Sequence, residues 1–278
     1  MKPTIIVLLL AAPAFAVEPK VERDIAYAEP KNERQMLDVY APPQAKGLPV
    51  VFWIHGGGWQ RGDKSEVDHK PQAFVDRGYV FVSTNYRFVP KVSIKEMAGD
   101  VARSIRWVHD HIADYGGDGK TLIVAGHSAG AQLAALVSID ERYLQDQKLP
   151  LSIIKACVPV DGDTYDVPLQ IDTVEQRRKD IYAWKFGDLE RQQDLSPVTH
   201  VAKGKGIPPV LVLHVADHPE TQAQSQRLAQ ALRDAGYSAK TFGEEGTDHV
   251  ALNADLGKPN DRPSQAMFKF FAEALKQR

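Results

Sequence analysis

Five short runs in this chain are apolar at nearly every position, and they restrict its fold more than any other feature. Residues 50–54, 79–84, 121–125, 154–160 and 209–215 are rich in Val and Ile. A strand with one wet face alternates between apolar and polar residues, whereas a strand covered on both faces does not. Between these runs lie stretches with helical spacing. Residues 94–111 place Met97, Val101, Ile105 and Val108 at steps of three and four, 129–139 and 221–235 behave alike, and 262–276 reads as a closing helix. Strand–helix alternation of this kind predicts an α/β fold, with a mostly parallel central sheet and helices on both faces. Ahead of it, residues 21–28 and 35–40 flank a polar turn and read as an antiparallel pair at the sheet edge. From about 163 to 196 the pattern weakens into charges, Tyr165, Tyr182, Trp184 and a helix-like stretch over 174–185. Such an insertion is expected to form a small cap if it lies over the carboxyl ends of the strands.

The first sixteen residues read as a secretory signal: Lys2, an apolar stretch over 4–12, then Ala14-Phe15-Ala16 ahead of a cleavage point at Val17. The apolar stretch is too short for a permanent membrane anchor, so an exported protein, periplasmic or secreted, is expected. Residues 17–278 fit one domain. With a net charge of −2 and no basic block in the chain, nucleic acid is not an expected partner. Cys157 is the sole cysteine, so no internal disulfide can form, and its neighbours Ala156 and Val158 suit a buried strand. Residues 117–121 end like a phosphate loop. Asp114 stands where the first glycine belongs, however, and the segment precedes a strand instead of following one. No cofactor and no metal are expected.

Two motifs carry chemistry. Gly126-His127-Ser128-Ala129-Gly130 follows the run 121–125 and opens the helix 129–139, the context that Gly-x-Ser-x-Gly requires. A serine on so tight a strand-to-helix corner needs flanking residues without side chains. The corner lifts the hydroxyl above the sheet and leaves a helix N-terminus beneath the reacting centre. His55-Gly56-Gly57-Gly58-Trp59 follows the run 50–54. Its glycines let backbone N–H groups approach a ligand oxygen, so the amides of Gly57, Gly58 and Ala129 are candidates for an oxyanion hole.

A serine hydroxyl needs a base, and the base needs an orienting carboxylate. Of the histidines after Ser128, only His249 falls in a loop between a late strand (238–242) and the last helix, where the base belongs. His214 ends a buried run and reads as a hydrogen-bonded core residue, and the side chain of His127 is expected to be directed away from the nucleophile. For the acid, Asp217 is favoured because it follows the run 209–215 directly. Glu220 competes from just before the next helix. Asp161, after the preceding run, can reach the same space and ranks lower, and Asp248 adjoins the base and should point elsewhere.

Taken together, His55–Trp59, Asn85-Tyr86-Arg87 followed by Pro90, the stretch 100–115 with Gly116-Gly117-Asp118, and Gly126–Gly130 resemble the esterase/lipase branch of the α/β hydrolases. The likeness extends to its small carboxylesterases, including feruloyl-, acetylxylan- and kynurenine formamidase-like members, and spans nearly the whole chain after residue 16. It implies a triad of Ser128, Asp217 and His249, with Gly57, Gly58 and Ala129 as the oxyanion hole. Two departures stand out. Family members commonly carry His-Gly with the aspartate four residues past that histidine; here Val215 replaces the glycine and Asp217 is three past His214. His218-Pro219-Glu220 then replaces the usual apolar run. The expected reaction is cleavage of a small-molecule carboxylic ester through an acyl-enzyme, with short-chain, aryl or acylated-sugar esters ahead of long lipids. Trp59, Tyr165, Tyr182 and Trp184 could line an aromatic cleft, although each reads first as a core residue. The rival readings are a serine peptidase or amidase, arylformamidase-like ones included, and a non-catalytic binding protein on the same scaffold.

Overall fold

The computed structural model describes residues 17–276; the leader read at residues 1–16 lies outside them. Eight strands form one sheet: β1 (Lys20–Ala26), β2 (Met36–Ala41), β3 (Leu48–Ile54), β4 (Val80–Thr84), β5 (Gly117–His127), β6 (Ile154–Val160), β7 (Val210–Val215) and β8 (Ala239–Glu244). Their order is β1-β2-β4-β3-β5-β6-β7-β8. The pairs β1/β2 and β2/β4 are antiparallel, and every pairing from β4 to β8 is parallel. This is the α/β-hydrolase arrangement, with the expected antiparallel pair at one edge.

The helices are α1 (Lys70–Val75), α2 (Ile94–His111), α3 (Ala129–Ile139), α4 (Glu141–Asp146), α5 (Val167–Thr173), α6 (Gln176–Phe186), α7 (Leu189–Asp194), α8 (Pro219–Asp234), α9 (His249–Asp255) and α10 (Arg262–Lys276). They cover both faces, so alternate residues of one strand enter different cores. Phe52 and Ile54 pack with residues of α2, α3 and α8. Val51 and Trp53 pack with Phe74 of α1 and Phe270 and Phe271 of α10. This is why the strand runs are apolar at consecutive positions. Cys157 lies wholly buried and unpaired in β6, where burial pushes its thiol up to about 12.

The strands nearest the middle of the sheet position the site. Helix α3 is buried along its whole length, so the turn from β5 into it cannot drift. Ser128 N–H donates to Val160 O at 2.9 Å, and Asp161 N–H donates to Leu213 O at 2.8 Å. The residues just beyond β5 and β6 are thereby held in register with the neighbouring strand. Helices α5, α6 and α7 fill the β6–β7 connection. Phe186 and Tyr182 of α6 meet the edge of Trp59, with ring centroids 5.0 and 6.5 Å away, so α6 lies against the loop after β3.

Candidate active site

At Ser128 the backbone is left-handed, with φ 56° and ψ −120°, a conformation that a side chain seldom adopts without being forced. The flanking glycines explain how the corner closes. A Cβ on Gly126 would lie 2.5 Å from Gly130 O, and one on Gly130 would lie 2.2 Å from Ile54 O. Ser128 itself remains partly exposed.

The glycine loop after β3 reaches the same place. A Cβ on Gly56 would lie 3.2 Å from Ser128 Cβ, and one on Gly57 would fall 2.0 Å from Arg61 O. Gly57 and Gly58 have φ values of 114° and 59°. Tyr86 OH donates to His55 O at 2.9 Å and stacks on the His55 ring at 4.5 Å, which fixes the root of the loop. The Gly57 carbonyl accepts from Gln60 and Arg61 N–H, while among the described residues nothing accepts from the Gly57 or Gly58 amide. Ala129 opens α3, where the amide has no partner inside the helix. These donors are therefore available to an oxygen brought in from outside.

His249 opens α9, whose first turn is capped by Asp248. Its Nδ1 lies 2.6 Å from Asp161 Oδ2. The Asp161 carboxylate is fully buried, sits on a left-handed residue with φ 49°, and accepts Val215 N–H at 3.0 Å on its other oxygen. Burial would raise its pKa, but the hydrogen bonds from His249, Val215 and Thr221 outweigh this and hold it below the usual carboxylate range. On His249, burial favours the neutral ring, yet the Asp161 hydrogen bond and charge prevail and raise its pKa above the ordinary 6.5.

The carboxylate expected at Asp217 does not meet the histidine. Strand β7 passes into α8 through a short turn in which Ala216 N–H donates to Glu244 O and His218 N–H to Val215 O. His218 is the N-cap of α8, and it occupies the position four past His214 that the resemblance reserves for the acid. Asp217 is left exposed in that turn. Glu220 is drawn away to Arg178, 2.5 Å off, and Asp248 is occupied as the α9 cap. Asp161, ranked lower from the sequence, is the residue that fills the place. The signal in its favour was the displaced His218 itself.

His127 plays a part that the sequence reading did not give it. Its Nε2 donates to the His249 carbonyl at 2.9 Å, and the two rings lie 4.4 Å apart. Burial depresses its pKa to about 3, so the ring stays neutral. His214 is a buried core residue as expected, with Nδ1 3.0 Å from Val215 O.

Three of the four aromatic candidates, Trp59, Tyr165 and Tyr182, are core residues, the reading that the sequence favoured, and no cleft forms from them. Tyr165 is wholly buried, and its hydroxyl accepts Gly162 N–H. Trp59 is buried between α6 and Gln132, to which its Nε1 donates at 3.2 Å. Tyr182 is buried too, its hydroxyl donating to the Asp163 carboxylate. Trp184 stays 57% exposed, but it lines an outer groove of about 890 Å³ whose walls do not include Ser128. Among the described residues no helix is long and apolar enough to cross a membrane.

Several known proteins are similar to this chain. Esterase LipQ of Mycobacterium tuberculosis is 30% identical over 250 residues, which is 83% of this chain and 57% of LipQ. The chain thus spans little more than half of that relative. Esterase B from Lactobacillus rhamnosis superposes with a TM-score of 0.77 at 21% identity, over 94% of this chain and 87% of that one. A truncated carbohydrate esterase from gut microbiota gives 0.75 at 20%, over 95% and 99%. These structures share the fold established above. Residues 37–232, most of the chain, match the BD-FAE family model, and the chain belongs to the BD-FAE family.

Proposed function

We propose that the chain is a carboxylic ester hydrolase that works through a serine-bound acyl intermediate. Ser128 attacks the substrate carbonyl while His249 Nε2 takes the hydroxyl proton. The Nδ1–H is committed to Asp161, which fixes the tautomer and favours the imidazolium as it forms. The developing oxyanion is received by the amides of Gly57, Gly58 and Ala129, each such donor being worth roughly 3–4 kcal/mol of transition-state stabilisation. His249 then returns the proton to the leaving alcohol, and a water activated by the same ring releases the acid.

One observation carries this reading: a histidine held at 2.6 Å by a buried carboxylate, its ring 4.4 Å from that of His127, which adjoins the strained serine. The esterase name of LipQ supports the same chemistry. The limited cover of α5–α7 favours short-chain, aryl or acylated-sugar esters, and the carbohydrate esterase among the structural neighbours accords with the last class. Export is proposed from the leader pattern over residues 1–16. The decisive test is a fluorophosphonate probe with phenyl acetate turnover. The wild type should label and hydrolyse, and Ser128→Ala should do neither while its circular dichroism is unchanged. Turnover surviving in Ser128→Ala would remove the assignment.

A further inference from the structure

Lys185, near the end of α6, shares the wall of the outer groove with Trp184 and from there reaches the glycine loop after β3. Its Nζ donates to Gly58 O at 3.0 Å, lies 5.3 Å from the centre of the Trp59 ring, and would be 3.6 Å from a Cβ on Gly58. Gly58 is two residues from Gly56, on which a Cβ would lie 3.2 Å from Ser128 Cβ. An ammonium has three N–H donors, and the other two on Lys185 meet no acceptor among the described residues. Nor does any carboxylate there come within ion-pair distance of Lys185 or of Arg61, the cation on the same loop. Burial lowers the pKa of Lys185, and repulsion from Arg61 adds to it in lesser measure. Asp163 attracts it from a distance, but that carboxylate is taken by Tyr182 OH and by Arg178 at 3.2 Å. Asp188, which follows on the same chain segment, is engaged as the cap of α7. A half-buried cation with spare donors and a like-charged neighbour gains most from an incoming anion.

We propose that Lys185, with Arg61, seats an anionic group of the substrate, so that the preferred esters carry a carboxylate or similar charge close to the scissile carbonyl. This rests on the ester-hydrolase reading above and names its substrate class. The charge can sit on either half of the ester, and two substrate pairs separate the cases. Monomethyl succinate against methyl butyrate puts it on the acyl half, and 3-acetoxybenzoate against phenyl acetate puts it on the alcohol half. Acid release by pH-stat gives kcat/KM for each. In the wild type one anionic ester should exceed its neutral partner by roughly tenfold, the scale of one charge-assisted hydrogen bond, and the ratio should fall as salt is added. Lys185→Met should bring the ratio to about one, and Lys185→Arg should keep most of it. A lysine that only props up the loop would lower all four rates together and leave the ratios alone. That result, or ratios near one in the wild type, overturns the inference while phenyl acetate hydrolysis still stands. Failure to hydrolyse phenyl acetate at all would remove the ester reading and this inference with it.

Discussion

At the scale of single residues, the choice between Asp161 and Asp217 has a clean experimental signature. Asp161→Asn keeps the shape and a hydrogen-bonding group but turns the tautomer preference of His249 the wrong way, so kcat should fall by roughly 10³–10⁴-fold. The sign of the pH effect follows from the geometry. Asp161 raises the His249 pKa, and the reaction needs the ring neutral, so wild-type kcat/KM should decline as pH drops through a value above 6.5. Without the carboxylate that limb should move to lower pH. Asp217→Asn, altering an exposed turn, should stay within about twofold of wild type, the range of surface changes remote from a site. A phenyl acetate pH–rate profile of both variants would reverse the assignment if Asp217→Asn were the crippled one. His127 gives a second case. Removing its hydrogen bond to the His249 carbonyl in His127→Ala should cost about 1–3 kcal/mol in kcat/KM, and His127→Gln, which keeps an N–H donor, should recover part of it. Identical losses in the two variants would show that the donor is irrelevant.

The elements show what could be read in advance and what could not. Ser128, the glycine loop and His249 were legible because each requirement is local: a strand, a corner without side chains, a loop before the last helix. The acid was not, because a carboxylate at the end of β6 and one at the end of β7 open onto the same space. Which one reaches the ring depends on backbone that neither motif specifies: the φ of 49° at Asp161 and the amide of Val215 that waits for it. The aromatic residues read correctly as core for the most part, but not in what they support. Periodicity marks Tyr165 and Trp59 as apolar, but only packing tells that they prop the loop and the β6 turn from behind. The tightness of the corner at Ser128 is itself testable. A methyl at Gly130 would meet the Ile54 carbonyl at 2.2 Å, backbone that cannot yield cheaply, so Gly130→Ala should destabilise the fold by about 1–3 kcal/mol or more. Urea unfolding at equilibrium measures it, and an unchanged midpoint would mean that the corner is looser than described.

Across the whole molecule, the unbroken apolar runs announced a sheet buried on both faces, and the two cores bear that out. Strand order was less legible, since each parallel crossover obeys one handedness rule whichever neighbour it joins. The core beside α1 and α10 lies on the face opposite α3 and also takes in Leu252 and Leu256 from α9 and its end. Phe271 is fully buried there and packs against Phe74 and Tyr79. Phe271→Ala should lower stability by about 3–5 kcal/mol while kcat at a temperature well below the new midpoint changes little. Thermal unfolding read beside turnover checks the pair, and a parallel collapse of kcat would show that the two faces are coupled. The bond from Ser128 N–H to Val160 O has one more consequence. Ser128 and the Asp161 carboxylate ride on neighbouring strands of one sheet, so their separation is as rigid as the sheet itself. The imidazole alone arrives on a separate arm, from beyond the outermost strand. Heat should therefore disarm this molecule by swinging that arm loose before the sheet melts, and cooling should re-arm it without refolding.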